Sequence, residues 1–338
     1  MDPTPFTRGL AFAAKEHVGS RVPPECTERF ACDTASAAQV PAGVRLEFSG
    51  NAGAVDIDAT TGTMHPLAAP VPEQYFSVWL SGRLHTRIPA APGARQKLHI
   101  DLPPHGRNKP VTIHLPEGYR PVLHSIEPIG GTIFPLPPRQ RWVAYGDSIT
   151  QGWTTSDPGR AWTAVAAREA NLDVINLGFA GAARGELPAA SFVSTVPTDV
   201  ISLAWGTNCW SQIPMDRSYI TELMRFFLTV IRSGHPETPI VVLSPLVRPQ
   251  AESIPNSAGA TLEDLRQGIE AAVATFATTE NDGRIHLVPG RELISSSHLV
   301  DGIHPGDQGH ALIGQAMAAA LTSAIRSGYG VETAPRVR

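Results

Sequence analysis

An all-β sandwich followed by an α/β unit on a parallel sheet is the fold this 338-residue sequence predicts. Three observations point to it. Between about Val44 and Phe134 short β-like runs recur, separated by turn-rich pieces and with no helical periodicity between them. From Trp142 onward, apolar strands alternate with stretches of helical period. Between the two regions lies the proline-rich Phe134-Pro135-Leu136-Pro137-Pro138, which suits a linker and divides the chain into residues 1–138 and 139–338.

The β-like runs are Val44–Phe48, Ala54–Ile57, Tyr75–Leu80, Leu84–Ile88, Lys97–Leu102, Val111–Leu115 and Pro121–Ile126. Turn chemistry such as Ser49-Gly50-Asn51, Ala91-Pro92-Gly93 and Pro103-Pro104-His105-Gly106 breaks them up. In the second region the expected strands are Trp142–Tyr145, Val174–Leu177, Val200–Ala204, Ile240–Leu243 and Ile285–Val288. Helices are expected around Ala161–Ala170 and over Met215–Arg232, where Tyr219, Leu223, Phe226, Phe227 and Val230 fall at helical spacing. Thr261-Leu262-Glu263-Asp264 reads as a capping box opening a helix with Leu265, Ile269, Val273 and Phe276 on one face. Leu312, Ile313, Ala316, Met317 and Leu321 mark a last amphipathic helix. Strands alternating with helices imply a mostly parallel sheet covered on both faces.

Composition narrows the function. The chain is 42% hydrophobic and 17% charged, with a formal net charge of −4 and no basic stripe, which argues against nucleic acid or an anionic membrane as partner. Met1–Val18 lacks the basic and long apolar regions of a secretory signal, and no segment approaches the roughly eighteen apolar residues of a membrane span. A cytoplasmic enzyme is the expectation, alongside a mature secreted form. Cys26, Cys32 and Cys209 make a poor disulfide framework and read as unreactive small residues.

In an open parallel sheet, ligands gather at the carboxyl ends of the strands. After the first such strand comes Gly146-Asp147-Ser148-Ile149-Thr150, which puts a Ser with a free backbone N–H where a strand meets a helix. After the second comes Asn176-Leu177-Gly178-Phe179-Ala180-Gly181-Ala182, whose glycines let backbone N–H groups approach a reacting carbonyl. After the third comes Trp205-Gly206-Thr207-Asn208-Cys209-Trp210, where the Asn208 amide is an oxyanion donor that cannot ionise. Before the last helix stands Asp301-Gly302-Ile303-His304-Pro305, an imidazole with a carboxylate three residues earlier. Each piece alone is ordinary loop chemistry. Asp307–His310 is a local rival pair, His298 lies near, and a metal site from Asp301, His304, Asp307 and His310 is the alternative use of the same residues.

Together, and in this order, the four pieces resemble the blocks of the GDSL/SGNH hydrolases, from Trp142 to about Leu321. The resemblance implies a flavodoxin-like three-layer α/β/α domain behind a jelly-roll or carbohydrate-binding-module-like sandwich. It implies Ser148 as nucleophile, His304 as base, Asp301 as its acid, and an oxyanion hole from Ser148, Gly181 and Asn208. Ile149 stands where the family usually has Leu, and Cys209 where it commonly has Asp. Trp153, Trp205 and Trp210 flank these loops and are candidates for lining an acyl pocket or for plain packing. The expected reaction is hydrolysis of a small-molecule or carbohydrate ester through an acyl-enzyme, with no cofactor and no metal. The alternatives are acyl transfer from a thioester to a hydroxyl of a sugar or natural product, and a non-catalytic carbohydrate-binding protein. The residues leave oligomeric state open.

Overall fold

The computed structural model describes residues 1–12, 21–68, 73–103 and 109–328. The turn at Pro104-His105-Gly106 and part of the Met1–Val18 segment lie outside them. Strands β1 (Thr7–Arg8), β2 (Arg45–Gly50), β3 (Ala54–Thr60), β4 (Tyr75–Leu80), β5 (Arg83–Pro89), β6 (Arg95–Asp101), β7 (Val111–His114), β8 (Val122–Ile129) and β9 (Ile133–Pro135) form the first region. They make two antiparallel sheets, ordered β1-β2-β7-β4-β5 and β6-β3-β8, with β9 added to β2. Alternation turns Leu46, Phe48, Ile57, Val78, Ile100 and Ile126 into one buried core between the sheets. The proline-rich linker is shorter than the sequence suggests, because Phe134 and Pro135 pair with Ser49 and Phe48.

The other face of the larger sheet carries Arg45, Glu47, Ser77, Trp79 and His114, all of them buried. A third layer covers them. It is built on β10 (Arg141–Gly146), β11 (Asp173–Gly178), β12 (Val200–Ala204), β13 (Ile240–Leu243) and β14 (Ile285–Val288). These strands are parallel and ordered β11-β10-β12-β13-β14, the 2-1-3-4-5 order of flavodoxin-like folds.

Two short helices of the first region, α1 (Pro24–Thr27) and α2 (Cys32–Ala37), precede the α/β layer's own. Those are α3 (Ser148–Gln151), α4 (Trp162–Glu169), α5 (Leu187–Val193), α6 (Asn208–Ser211), α7 (Arg217–Gly234), α8 (Pro249–Ser253), α9 (Leu262–Thr279) and α10 (Asp307–Gly328). One sheet face packs on α4 and α10 through Trp162, Ile313, Met317 and Leu321. The opposite face packs on α5, α7 and α9 through Phe192, Phe227, Ile269 and Phe276. The capping box of α9 forms: Asp264 N donates to Thr261 Oγ1 at 3.2 Å, and Thr261 N donates to Asp264 Oδ2 at 2.9 Å.

Helix α7 departs from its expected face. It buries Ile220, Met224, Phe227, Leu228 and Ile231, and leaves Tyr219 and Phe226 about half exposed. The helix carries two adjacent apolar stripes, and period alone cannot say which one meets the sheet. Among the described residues no helix is long and apolar enough to cross a membrane.

Two sets of contacts tie the sandwich to the α/β layer. Arg45 pairs with Glu47 at 2.6 Å and with Asp173 at 2.8 Å, and Arg139 closes on the other Glu47 oxygen. Asp157, in the loop after α3, accepts from Ser77 Oγ at 2.5 Å, Trp79 Nε1 at 3.1 Å and Arg87 Nε at 3.1 Å. The segment before β2 also reaches across: Val22, Ala37 and Ala38 sit in the α/β core, and Arg21 Nη1 donates to Asn176 O at 2.8 Å.

Candidate active site

Gly146 ends β10 with no room for a side chain: a Cβ there would lie 2.1 Å from Thr150 Oγ1 and 2.4 Å from Ala204 O. The chain then turns straight into α3. Asp147 caps that helix, its Oδ1 accepting from Ile149 N at 2.9 Å. Ser148 is therefore the first residue of the helix, at the sheet's carboxyl edge between β11 and β12.

Asp147 is almost fully buried, and burial pushes its carboxyl up to about 7 against the backbone N–H groups that would lower it. An acid whose folded value exceeds its unfolded 3.8 folds best protonated, so its cost appears as pH rises from about 4 to 7. Asp147→Asn keeps the capping oxygen without the charge. We expect the variant to match the parent near pH 4 and to gain roughly 2–4 kcal/mol above pH 7, read by denaturant melts across that range. A difference independent of pH would contradict this origin.

His304 reaches Ser148 from a loop before α10. Its Nε2 lies 2.8 Å from Ser148 Oγ, and its Nδ1 lies 2.8 Å from Asp301 Oδ2. The other Asp301 oxygen accepts from the backbone N–H of Ile303 at 3.0 Å and of His304 at 2.8 Å. Burial alone would raise the Asp301 carboxyl, but these hydrogen bonds outweigh it and hold it below the ordinary value. An ionised Asp301 requires Nδ1–H to donate, which leaves Nε2 as acceptor for the serine hydroxyl. The turn depends on Gly302, at φ +81°, and is closed by Val300 N donating to His304 O at 2.9 Å. The Trp153 ring lies against His304 with centroids 5.8 Å apart.

The two other loops converge on the same edge. Gly181 has φ +72° and open space beside its Cα. Asn208 begins α6, is buried, and donates through Nδ2 to Ala182 O. Its other amide hydrogen stays available.

The rival residues do different work. His310 is fully buried, takes Trp162 N on Nδ1 at 3.1 Å, and is pushed down to about 4 by that burial. Asp307 faces Ser156, and His298 takes Ser295 N on Nδ1 at 3.1 Å. Among the described residues no three His, Cys, Asp or Glu side chains gather as a metal site would need. All three thiols are free; burial pushes the Cys209 thiol far up, which removes it as a nucleophile. The tryptophans separate. Trp205 is a core residue against Phe227, whereas Trp153 and Trp210 are half-buried around the site.

Several residues that hold the site carry no sequence signal of that role. Gln151 accepts from Ala180 N at 3.0 Å and donates to Leu67 O at 2.7 Å, joining the serine helix, the Gly181 loop and the sandwich. Thr154, at φ +67°, donates to Pro305 O at 2.8 Å and so props the His304 loop. Arg184 Nη1 donates to Gly181 O at 3.0 Å.

A serine-bearing strand–helix turn on a flavodoxin-like sheet, with an Asp-x-x-His loop closing on it, is the arrangement of the SGNH class of fold. Residues 139–322 match the model of the GDSL-like Lipase/Acylhydrolase family, and the chain belongs to that family. No curated protein matches it in sequence. Among solved structures, it is similar to the salicylyl-acyltransferase SsfX3 from a tetracycline biosynthetic pathway, with 24% identity, TM-score 0.80, and 93% of this chain and 94% of that one covered. It is also similar to a Bacteroides ovatus ATCC 8483 protein described as a GDSL-like lipase, at 20% identity, TM-score 0.78 and 95% coverage of each. A family two carbohydrate esterase from Clostridium thermocellum, in complex with cellohexaose, follows at 14% identity and TM-score 0.63, covering 85% of this chain and 93% of that one. These likenesses establish the two-part architecture of sandwich and α/β layer.

Proposed function

We propose that the protein is a serine-dependent carboxylic ester hydrolase, and the observation that carries this is the unbroken line from Asp301 through His304 to Ser148, each step 2.8 Å. His304 takes the proton as Ser148 Oγ attacks the carbonyl carbon. The oxyanion that forms is held by the amides of Ser148 and Gly181 and by the Asn208 side chain. Collapse expels the alcohol, protonated by His304, and water activated by the same imidazole resolves the acyl-enzyme. Residues 139–338 are the catalytic unit in this reading and residues 1–138 a sandwich of carbohydrate-binding-module type. Trp153 and Trp210 would wall the pocket.

A second reading keeps the first half-reaction and changes the acceptor. With a thioester donor and a hydroxyl of a natural product or sugar in place of water, the same residues make an acyltransferase. The likeness to an acyltransferase along 93% of the chain supports it.

The test is a serine-directed fluorophosphonate, followed by intact mass and peptide mapping. One adduct, on Ser148 and lost in His304→Ala, is expected; labelling elsewhere, or none, sinks the mechanism. Products formed from an activated acyl donor with and without alcohol acceptors then separate hydrolase from transferase.

A further inference from the structure

The turn that carries Gly181 has two central amides and a protein partner for only one of them. Ala182 N donates to Phe179 O at 3.0 Å, and Gly181 has φ +72° while Ala180 keeps a negative φ. Residues 179–182 therefore form a type II β-turn with glycine at its third position. Such a turn bonds its outer pair and leaves the N–H groups of its two central residues pointing outward. The Ala180 N–H is taken by Gln151 Oε1 at 3.0 Å. The Gly181 N–H makes no hydrogen bond among the described residues, and Gly181 is partly exposed where Ala180 is buried.

Gln151 belongs to the serine's own helix: Ser148 opens α3 and Gln151 closes it. Its backbone is pressed on the strand that leads into the turn, since a Cβ on Gly178 would lie 2.1 Å from Gln151 N. The Gln151 side chain is buried between partners of opposite polarity. Its Nε2 donates to Leu67 O at 2.7 Å, and its Oε1 accepts from Ala180. A primary amide satisfies both in one orientation only; turned over, it would set N–H against N–H and oxygen against oxygen. Leu67 is itself held from within the first region. Its N–H donates to His65 Nδ1 at 3.2 Å, and His65 N donates to Gly118 O at 2.8 Å. The connection between β3 and β4 thus orients the amide, and the amide sets the Gly181 turn against α3.

We propose that Gln151 is a positioning residue for the oxyanion hole. It ties Ala180 to the serine helix so that the Gly181 and Ser148 amides converge on one oxygen, and the sandwich fixes its orientation through Leu67 O. This rests on the reading of Ser148 as nucleophile and Gly181 as oxyanion donor. Gln151 acts through the turn and not on the substrate. An oxyanion is held by donors about 2.7–3.1 Å away, and a misplacement of about 1 Å costs on the order of 10²-fold.

Gln151→Met keeps the length of the side chain and loses both hydrogen bonds. With 4-nitrophenyl acetate its kcat/KM should fall ~10- to 100-fold, chiefly in kcat. The affinity of an aryl trifluoromethyl ketone, whose hemiketal on Ser148 carries the same oxyanion, should fall by a like factor. Gly181→Ala is the reference. A Cβ there meets nothing within 4 Å, but φ +72° disfavours any side chain, so the donor itself is displaced. Adding Gln151→Met to Gly181→Ala should then cost less than Gln151→Met costs alone. Gln151→Glu keeps an acceptor for Ala180 but sets an oxygen against Leu67 O, and it should fall between the parent and Gln151→Met. Where methionine prevents folding, the glutamate variant must still lose kcat and ketone affinity in step. Unchanged kinetics in a folded variant, additive losses in the double variant, or lost turnover with undiminished ketone affinity overturns the proposal. If the unmodified protein neither hydrolyses the ester nor binds the ketone, the reading of Ser148 fails first and takes this role with it.

Discussion

Ser148→Ala is expected to lower kcat by about 10⁴- to 10⁶-fold for any ester the protein hydrolyses, and adding His304→Ala to it should cost almost nothing more. The reason lies in the geometry. Ser148 Oγ and His304 Nε2 lie 2.8 Å apart, and in the proposed mechanism each is useless to the chemistry without the other. The residual rate would come from the Gly181 and Asn208 donors, which neither substitution touches. Steady-state kinetics of the two single variants and the double variant form a cycle, with circular dichroism to check that all three are folded. Independent, additive losses would mean that the two residues do not act as a unit.

Arg45→Ala should lower the free energy of unfolding by about 3–5 kcal/mol. It takes Asp173's ion-pair partner away and leaves the buried Glu47 with only Arg139 to answer it. For a protein of this size the melting temperature should fall by roughly 4–7 °C. The effect has a pH signature. Burial would raise the Glu47 carboxyl, but Arg45 and Arg139 overcome it and hold it at about 2, against 4.5 unperturbed. A depressed acid contributes stability that is complete above its unfolded value and lost as pH falls through its folded one. The drop corresponds to roughly 3 kcal/mol. Parent and variant should therefore differ most above pH 4.5 and converge toward pH 2. A gap of constant size would point to lost packing in place of lost charge pairing.

The same pair shows why part of the fold was hidden in the sequence. All seven β-like runs of the first region are strands, because a two-sheet sandwich prints its core as period-two alternation. That alternation puts Arg45 and Glu47 on the face away from the core, where a charged residue normally meets water. Only the third layer, contributed by residues far later in the chain such as Arg139 and Asp173, turns that face into an interior. Helix α7 failed for a related reason: its two apolar stripes are equally good until a neighbour chooses one. By contrast, Ser148, Gly181, Asn208 and the Asp301–His304 pair were legible because each follows a strand or precedes a helix that the local pattern defines. Gln151, Thr154 and Asp157 act through partners far away in sequence, and no local pattern encodes such partners.

The Asp157 contacts bear on how this architecture can be taken apart. Asp157 leaves its loop to collect three donors from the sandwich, and that loop carries Trp153 and Thr154, which brace His304. Cutting the chain near residue 138 would orphan a buried carboxylate and uncover the apolar wall that Val22, Ala37 and Ala38 complete. The sandwich is thus no cartridge to be exchanged between enzymes as a recombinant accessory. Grafting a foreign sandwich onto the α/β half would have to reproduce the Ser77, Trp79 and Arg87 donors before the histidine loop kept its place.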